Sequence, residues 1–237
     1  MLLASLILAA GGLMLLYFQT KERPLALLSG LSIGLAGWTK NEGLVAVVGF
    51  TLVWLLMILK SANGVDSPTE NPREFAAKAL LKENSKALGY YVAGLAFPII
   101  VVILFKIFLA PPNDLLSQQG NLFDKLLDIE RYTTILKQAL VTLWNLGDAP
   151  LSFFGIIILT AIILGRSSQR VPGLWIIPVF VGIQLAAYFG TFLVTPQDLP
   201  WHLSTSLDRL YLHVFPLALC WFFLWLRSPE ELSSKES

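Results

Sequence analysis

Apolar runs about twenty residues long recur along the whole of this 237-residue chain, and that is the length a helix needs to cross the hydrocarbon core of a bilayer. The runs at 1–18, 88–109, 174–194 and 210–226 qualify outright, and the shorter one at 151–165 extends backwards through Ala149 and Pro150. As a single helix the 35 residues of 25–59 would be about 52 Å long against a core of ~30 Å. That stretch is interrupted by Thr39-Lys40-Asn41-Glu42-Gly43, so it reads as a hairpin of two shorter helices. The fold expected is all-α: a polytopic transmembrane helix bundle of about seven spans with amphipathic surface helices, forming one membrane domain over 1–237.

Composition removes the main alternatives. The chain is 55% hydrophobic and only 14% charged, against about a quarter charged in soluble domains. Its 17 Lys plus Arg nearly cancel 16 Asp plus Glu, which leaves no net basic charge to attract nucleic acid. Cys220 is the single cysteine, so no intrachain disulfide exists. Met1 opens directly in an apolar run, without the basic flank and cleavage pattern of a signal peptide. The expectation is therefore that the chain is the downstream part of a longer protein.

Orientation follows from the basic residues between spans. With seven spans, the segments 19–24, 60–87, 166–173 and the C-terminal tail fall on one side and carry 11 of the 17 Lys and Arg, which makes that side and the C-terminus cytoplasmic. Lys40, Lys125, Arg131, Lys137 and Arg209 fall on the other, and Lys106 lies near the outer end of its own span, where its stem can snorkel. Trp54, Trp221 and Trp225 then mark the inner interface, and Trp38, Trp144 and Trp201 the outer one.

Two connections are long. Segment 60–87 opens with Ser, Asn, Gly, Asp and Pro and turns helix-like from Arg73 to Leu88, which reads as a cytoplasmic linker plus a surface helix. Segment 110–148, the outer-face connection, places Tyr132, Leu136, Leu140 and Leu143 at helical spacing beside polar neighbours, the pattern of an amphipathic helix lying in the membrane surface. No internal repeat is found.

Chemistry concentrates in two patches. A lysine at the bilayer centre costs about 2.5–3.5 kcal/mol, so Lys40 belongs near a surface. Lys40 and Glu42 are two apart and would lie on nearly opposite faces of a continuous helix, so a break there is the natural reading. If Thr39 or Asn41 caps the following helix, the free amides and Lys40 converge on a spot suited to phosphate or carboxylate; an ordinary polar turn is the alternative. The second patch runs from Thr195 to Arg209. Arg209 and His213 are four apart and share a face at the outer mouth of the last span, where a guanidinium can grip a phosphate through two parallel hydrogen bonds. Asp208 or a lipid headgroup is its plainer partner. His202 is either an acid or base, or a hydrogen-bonding loop residue.

Gln184, Tyr188, Thr191 and Thr195 line one face of the span at 174–194, which looks into the bundle or a wet cavity rather than lipid, and interhelical hydrogen bonds explain it without a substrate. Asp148 reads as the acidic cap of the helix after it. No His, Cys or carboxylate cluster has metal-ligand spacing, and no glycine loop fits a nucleotide, so neither metal nor cofactor is expected.

At the same two patches the chain resembles a known family. Gly30-Leu31-Ser32-Ile33-Gly34-Leu35-Ala36-Gly37-Trp38-Thr39-Lys40-Asn41-Glu42-Gly43 is similar to the small-residue helix ending in Thr-Lys of membrane glycosyltransferases with the GT-C fold, the family 39 group of protein O-mannosyltransferases and aminoarabinose transferases. Trp201-His202-Leu203-Ser204-Thr205-Ser206-Leu207-Asp208-Arg209-Leu210, with Pro216 beyond it, resembles a segment near the end of the membrane domain of bacterial members. The resemblance implies transfer of a sugar from a polyprenyl-phosphate carrier to an acceptor on the extracytoplasmic face of a bacterial-type inner membrane.

In that picture Lys40 and Arg209 hold the carrier's phosphate and stabilise the charge left as the sugar departs, with Thr39, Asn41, Glu42, His202, Asp208 and His213 in support. The implied partners are the lipid-linked sugar, membrane lipids, and a missing N-terminal half or partner subunit. In the family the catalytic carboxylate comes from the first outer loop, and no such loop precedes the first span here. Glu42 and Asp198 do not occupy its position, so the catalytic residue is unknown and the chain reads as the C-terminal portion of a transferase. The rival expectations are a transporter or channel subunit using the Gln184 stripe, and a membrane scaffold without a site.

Overall fold

The computed structural model describes residues 1–62, 72–110, 122–146, 152–169, 171–228 and 231, with the backbone alone for 60–62 and 72–81. Among these residues the chain forms nine helices and no strand: α1 (Leu2–Thr20), α2 (Arg23–Thr39), α3 (Asn41–Ala62), α4 (Pro72–Phe108), α5 (Leu122–Leu127), α6 (Ile129–Trp144), α7 (Phe153–Leu164), α8 (Ile176–Val194) and α9 (Leu199–Trp225). Five carry windows long and apolar enough to cross a membrane: α1, α3, α4 from Lys82, α8 and α9. The other two segments in the count of seven are α2, with 17 residues, and α7, with 12. At 1.5 Å per residue these are about 26 Å and 18 Å long, both short of a ~30 Å core.

The chain divides into two compact units, 1–110 with 175–184 and 111–174 with 185–237. In the first, α2 packs against α1, α3 and α4. Small residues allow this: Ala26, Ser29, Gly30, Gly34, Ala36 and Gly37 form its buried face. A methyl group at Gly30 would overlap the Tyr91 carbonyl, and one at Gly94 would overlap the Leu27 carbonyl, so the α2 and α4 backbones touch. Where lipid offers as apolar a contact as another helix does, such close approach is what holds helices together. Ser29 Oγ adds a hydrogen bond to the Ala10 carbonyl of α1 at 2.8 Å. Below it, Trp54 lies between Tyr17 and Tyr91, with ring centroids 5.4 and 5.5 Å away.

Hairpin α2–α3 turns on one residue. Lys40 is extended (φ −160°, ψ 164°), and Gly43 packs against the Ala36 backbone, leaving no room for a side chain. The bidentate pair of Arg23 with Glu83, at 2.9 and 3.0 Å, ties the other end of α2 to α4.

In the second unit, Ile135 of α6, Tyr188, Phe192 and Leu193 of α8, and Leu199, Leu203, Leu207 and Leu210 of α9 form one core. Lys125 Nζ donates to the Thr195 carbonyl at 3.0 Å, and an Arg131 guanidinium nitrogen donates to the Phe192 carbonyl at 3.1 Å. Both cations thus meet the carbonyl end of α8, where the helix dipole favours positive charge.

Three boundaries differ from the sequence reading. The surface helix at 73–88 is continuous with the span after it, as α4, because no proline falls between Pro72 and Pro98 and Gly89, at the junction, has nothing packed against it to bend the helix. The last helix begins at Leu199 rather than 210, capped by Asp198, whose carboxylate accepts from the Trp201 amide at 3.0 Å. Helix α7 is capped by Ser152, which accepts from the Gly155 amide at 3.3 Å; Asp148, expected in that role, lies outside the described residues, as do 63–71 and 111–121 of the two long connections.

Candidate functional site

The α2–α3 break is built from the end of one helix and the start of the next. Thr39 does not cap α3: its hydroxyl donates back to the Ala36 carbonyl at 2.8 Å inside α2. The cap position falls to Lys40, whose carbonyl accepts from the Gly43 amide at 3.0 Å and whose side chain is exposed. Asn41 opens α3, and its side-chain oxygen accepts from Lys106 Nζ at 3.0 Å. Glu42 lies in the first turn, where its backbone carbonyl accepts from the buried Gln184 amide at 3.2 Å. The amide end of α3 therefore has Lys40 at the turn and the Lys106 ammonium on the neighbouring side chain, an arrangement that attracts anions.

Lys106 is the residue the sequence reading passed over. The signal was present: it lies in the last turn of α4 and falls on the same side as Lys40 in the seven-span count. Its ammonium spends one donor on Asn41 and retains two.

In the second unit, Arg209 is not at the mouth of the final helix, because α9 starts ten residues earlier, at Leu199. The Arg209 side chain is exposed and donates to Ser206 Oγ at 3.4 Å; it makes no ion pair with Asp208, which is also exposed. His213, one turn on, is buried beside Leu210, Val214 and Leu217. His202 shares a 2.8 Å hydrogen bond between Nδ1 and Thr195 Oγ1, and its ring stands edge-on to Phe192 at 5.0 Å. Thr195 and Tyr188 of the polar stripe are buried, while Thr191 bonds the Ala187 carbonyl of its own helix. That stripe faces protein, as the sequence reading has it. Lys40 and Arg209 belong to different units.

Among the described residues, five helices long and apolar enough to cross a bilayer define the chain as a polytopic α-helical membrane protein. Comparison with protein-family models, with curated proteins and with solved structures gives no match.

Proposed function

We propose that this chain is a membrane glycosyltransferase of the GT-C type, or the C-terminal part of one, that takes a sugar from a polyprenyl-phosphate carrier on the extracytoplasmic face of a plasma membrane. The single observation that carries the reading is the cationic start of α3, with Lys40 at a one-residue break and Lys106 hydrogen-bonded to Asn41 at 3.0 Å. Helix amides and two ammonium groups suit a phosphodiester bearing one negative charge, and they suit it better still as the sugar leaves and the phosphate gains a second charge. Arg209, exposed and without a carboxylate partner among the described residues, is a second candidate cation. The carboxylate base is assigned to no residue of this chain.

The transporter reading has less to stand on, since the Gln184 amide is engaged by the Glu42 carbonyl. Deleting the gene and measuring the lipid-linked sugars by mass spectrometry tests the proposal. Accumulation of one polyprenyl-phosphate sugar, reversed by the wild-type gene and not by a Lys40→Ala, Lys106→Ala double variant, is expected. An unchanged pool overturns the reading. Labelling of a cysteine at position 40 from the cytosol alone would equally overturn the assigned orientation.

A further inference from the structure

Helix α6 has three faces where an amphipathic helix has two. Its first face, Tyr132, Ile135 and Ala139, packs on the core of the second unit, and the Tyr211 hydroxyl fastens it by donating to the Ala139 carbonyl at 2.9 Å. At about 100° per residue, Ile129, Leu136, Leu140 and Trp144 fall together on the next arc. These four side chains are largely open, at 76%, 56%, 60% and 55% exposed. Thr133, on the same arc, returns its hydroxyl proton to the Glu130 carbonyl at 2.9 Å. Glu130 and Lys137, both exposed, lie on the third arc together with Val141, which is 45% exposed.

We infer that α6 lies along the membrane–water boundary, with its Leu136–Leu140 face in the hydrocarbon of one leaflet and its Glu130–Lys137 face in water. The occupant of the open apolar face is bilayer lipid. Continuity with the lipid-facing surface argues for this. At its C-terminal end the face runs into an open groove of about 330 Å³ lined by Leu140, Val141, Leu143 and Trp144 of α6, Asn145 after it and Phe154 of α7. Beyond the groove stand Ile158, Leu159, Ile162 and Ile163 of α7, 44–74% exposed. Helix α7 is apolar on all sides and contains no buried residue, a surface suited to hydrocarbon. The exposed apolar strip thus passes from α7 through a groove whose lining, Asn145 apart, is apolar onto α6, and an acyl chain fills the groove between them. Trp144 then sits at the interface, where indole rings collect. The inference rests on burial and faces alone and stands apart from the transferase reading.

Spin labels test it in the intact chain. In a Cys220→Ser background, single cysteines replace Leu136, Leu140, Glu130 and Lys137 in turn. Each protein is labelled and reconstituted into phosphatidylethanolamine–phosphatidylglycerol vesicles. Because all four positions are exposed, labelling leaves the fold intact, which an unchanged melting temperature confirms. Labels at 136 and 140 are expected to relax several-fold more with oxygen than with a water-soluble nickel chelate, and those at 130 and 137 the reverse. Equal chelate access at 137 and 140 would overturn the inference in favour of water. Shielding of 136 and 140 from both reagents would overturn it in favour of a protein partner, and dipolar broadening between labels would identify that partner as a second copy.

Discussion

Lys106 and Asn41, 65 positions apart in sequence, meet at the start of α3 through a 3.0 Å hydrogen bond from the ammonium to the side-chain amide oxygen. The contact joins the end of α4 to the hairpin that α2 and α3 form, and it turns a lone lysine at a helix break into a pair of cations.

If that pair holds a phosphate, removing either charge weakens binding. Lys40→Ala and Lys106→Ala are each expected to lower affinity for polyprenyl phosphate about tenfold, measured by native mass spectrometry in nanodiscs. Lys106→Arg should retain most of it. Unchanged binding in both alanine variants would remove the site.

The touching backbones of α2 and α4 predict opposite outcomes for the same substitution at different glycines. Gly30→Ala and Gly94→Ala must push the helices apart, because the new methyl group meets a carbonyl rather than a side chain that can turn away. Each is expected to destabilise the first unit by about 1–3 kcal/mol. Gly12→Ala, where nothing lies within 4 Å, gains helix propensity and should be neutral or stabilising by up to about 1 kcal/mol. Thermal unfolding in detergent distinguishes them, and equal effects at all three would contradict the packing described.

Ser29, fully buried, donates to the Ala10 carbonyl at 2.8 Å. Interhelical hydrogen bonds in membranes contribute about 0.6 kcal/mol on average and up to about 2 kcal/mol. Ser29→Ala should therefore cost about 1 kcal/mol, and Ser29→Val considerably more, since it adds bulk at the α1–α2 contact. A Ser29→Val protein as stable as the wild type would show that the two helices are not packed there.

The C-terminal segment predicts a pH dependence. Glu231 accepts from Ser167 Oγ at 2.8 Å, Ser168 Oγ at 3.2 Å and the Gln169 amide at 3.2 Å. Beside it, the Ser167 amide donates to the Trp225 carbonyl at 2.9 Å and the Arg227 amide to the Gly165 carbonyl at 3.2 Å. The Ser167 hydroxyl first, with the Gln169 amide and Ser168 hydroxyl, holds the Glu231 carboxyl below the usual carboxylate range. A lowered pKa means that the folded form favours the ionised carboxylate, so the stabilisation is complete above the unfolded pKa and lost as pH falls through the folded one. Hydrogen exchange at 165–169, corrected for its intrinsic pH dependence, should be slow at neutral pH and quicken in acid. Glu231→Gln should be fast at both, and a variant that matched the wild type at neutral pH would disprove the latch.

Several elements were legible before the structure. The hairpin over 25–59 follows from a length no single span accommodates and from the polar break inside it, and the structure places α2 and α3 on either side of Lys40. Helix α6 follows from periodicity, but the pattern could not say which apolar side chains meet protein. Ile135 is 1% exposed while Leu136, its neighbour, is 56% exposed. Composition also misled at 73–88, where a polar stretch before an apolar one reads as two helices although nothing breaks the backbone of α4. Of the candidate site residues, Lys40 was found because a charge between apolar runs is costly. Lys106 was not, because a lysine near a span end has an ordinary explanation.

The sequence by itself determined that this chain enters a membrane and about where it crosses. Hydrocarbon offers backbone groups no partner but one another, so length and apolarity suffice to mark each helix. Which helices touch, and which cation meets which side chain, was decided only by tertiary packing. Those contacts join residues tens of positions apart, and they depend on the register in which Gly30 and Gly94 let two backbones meet.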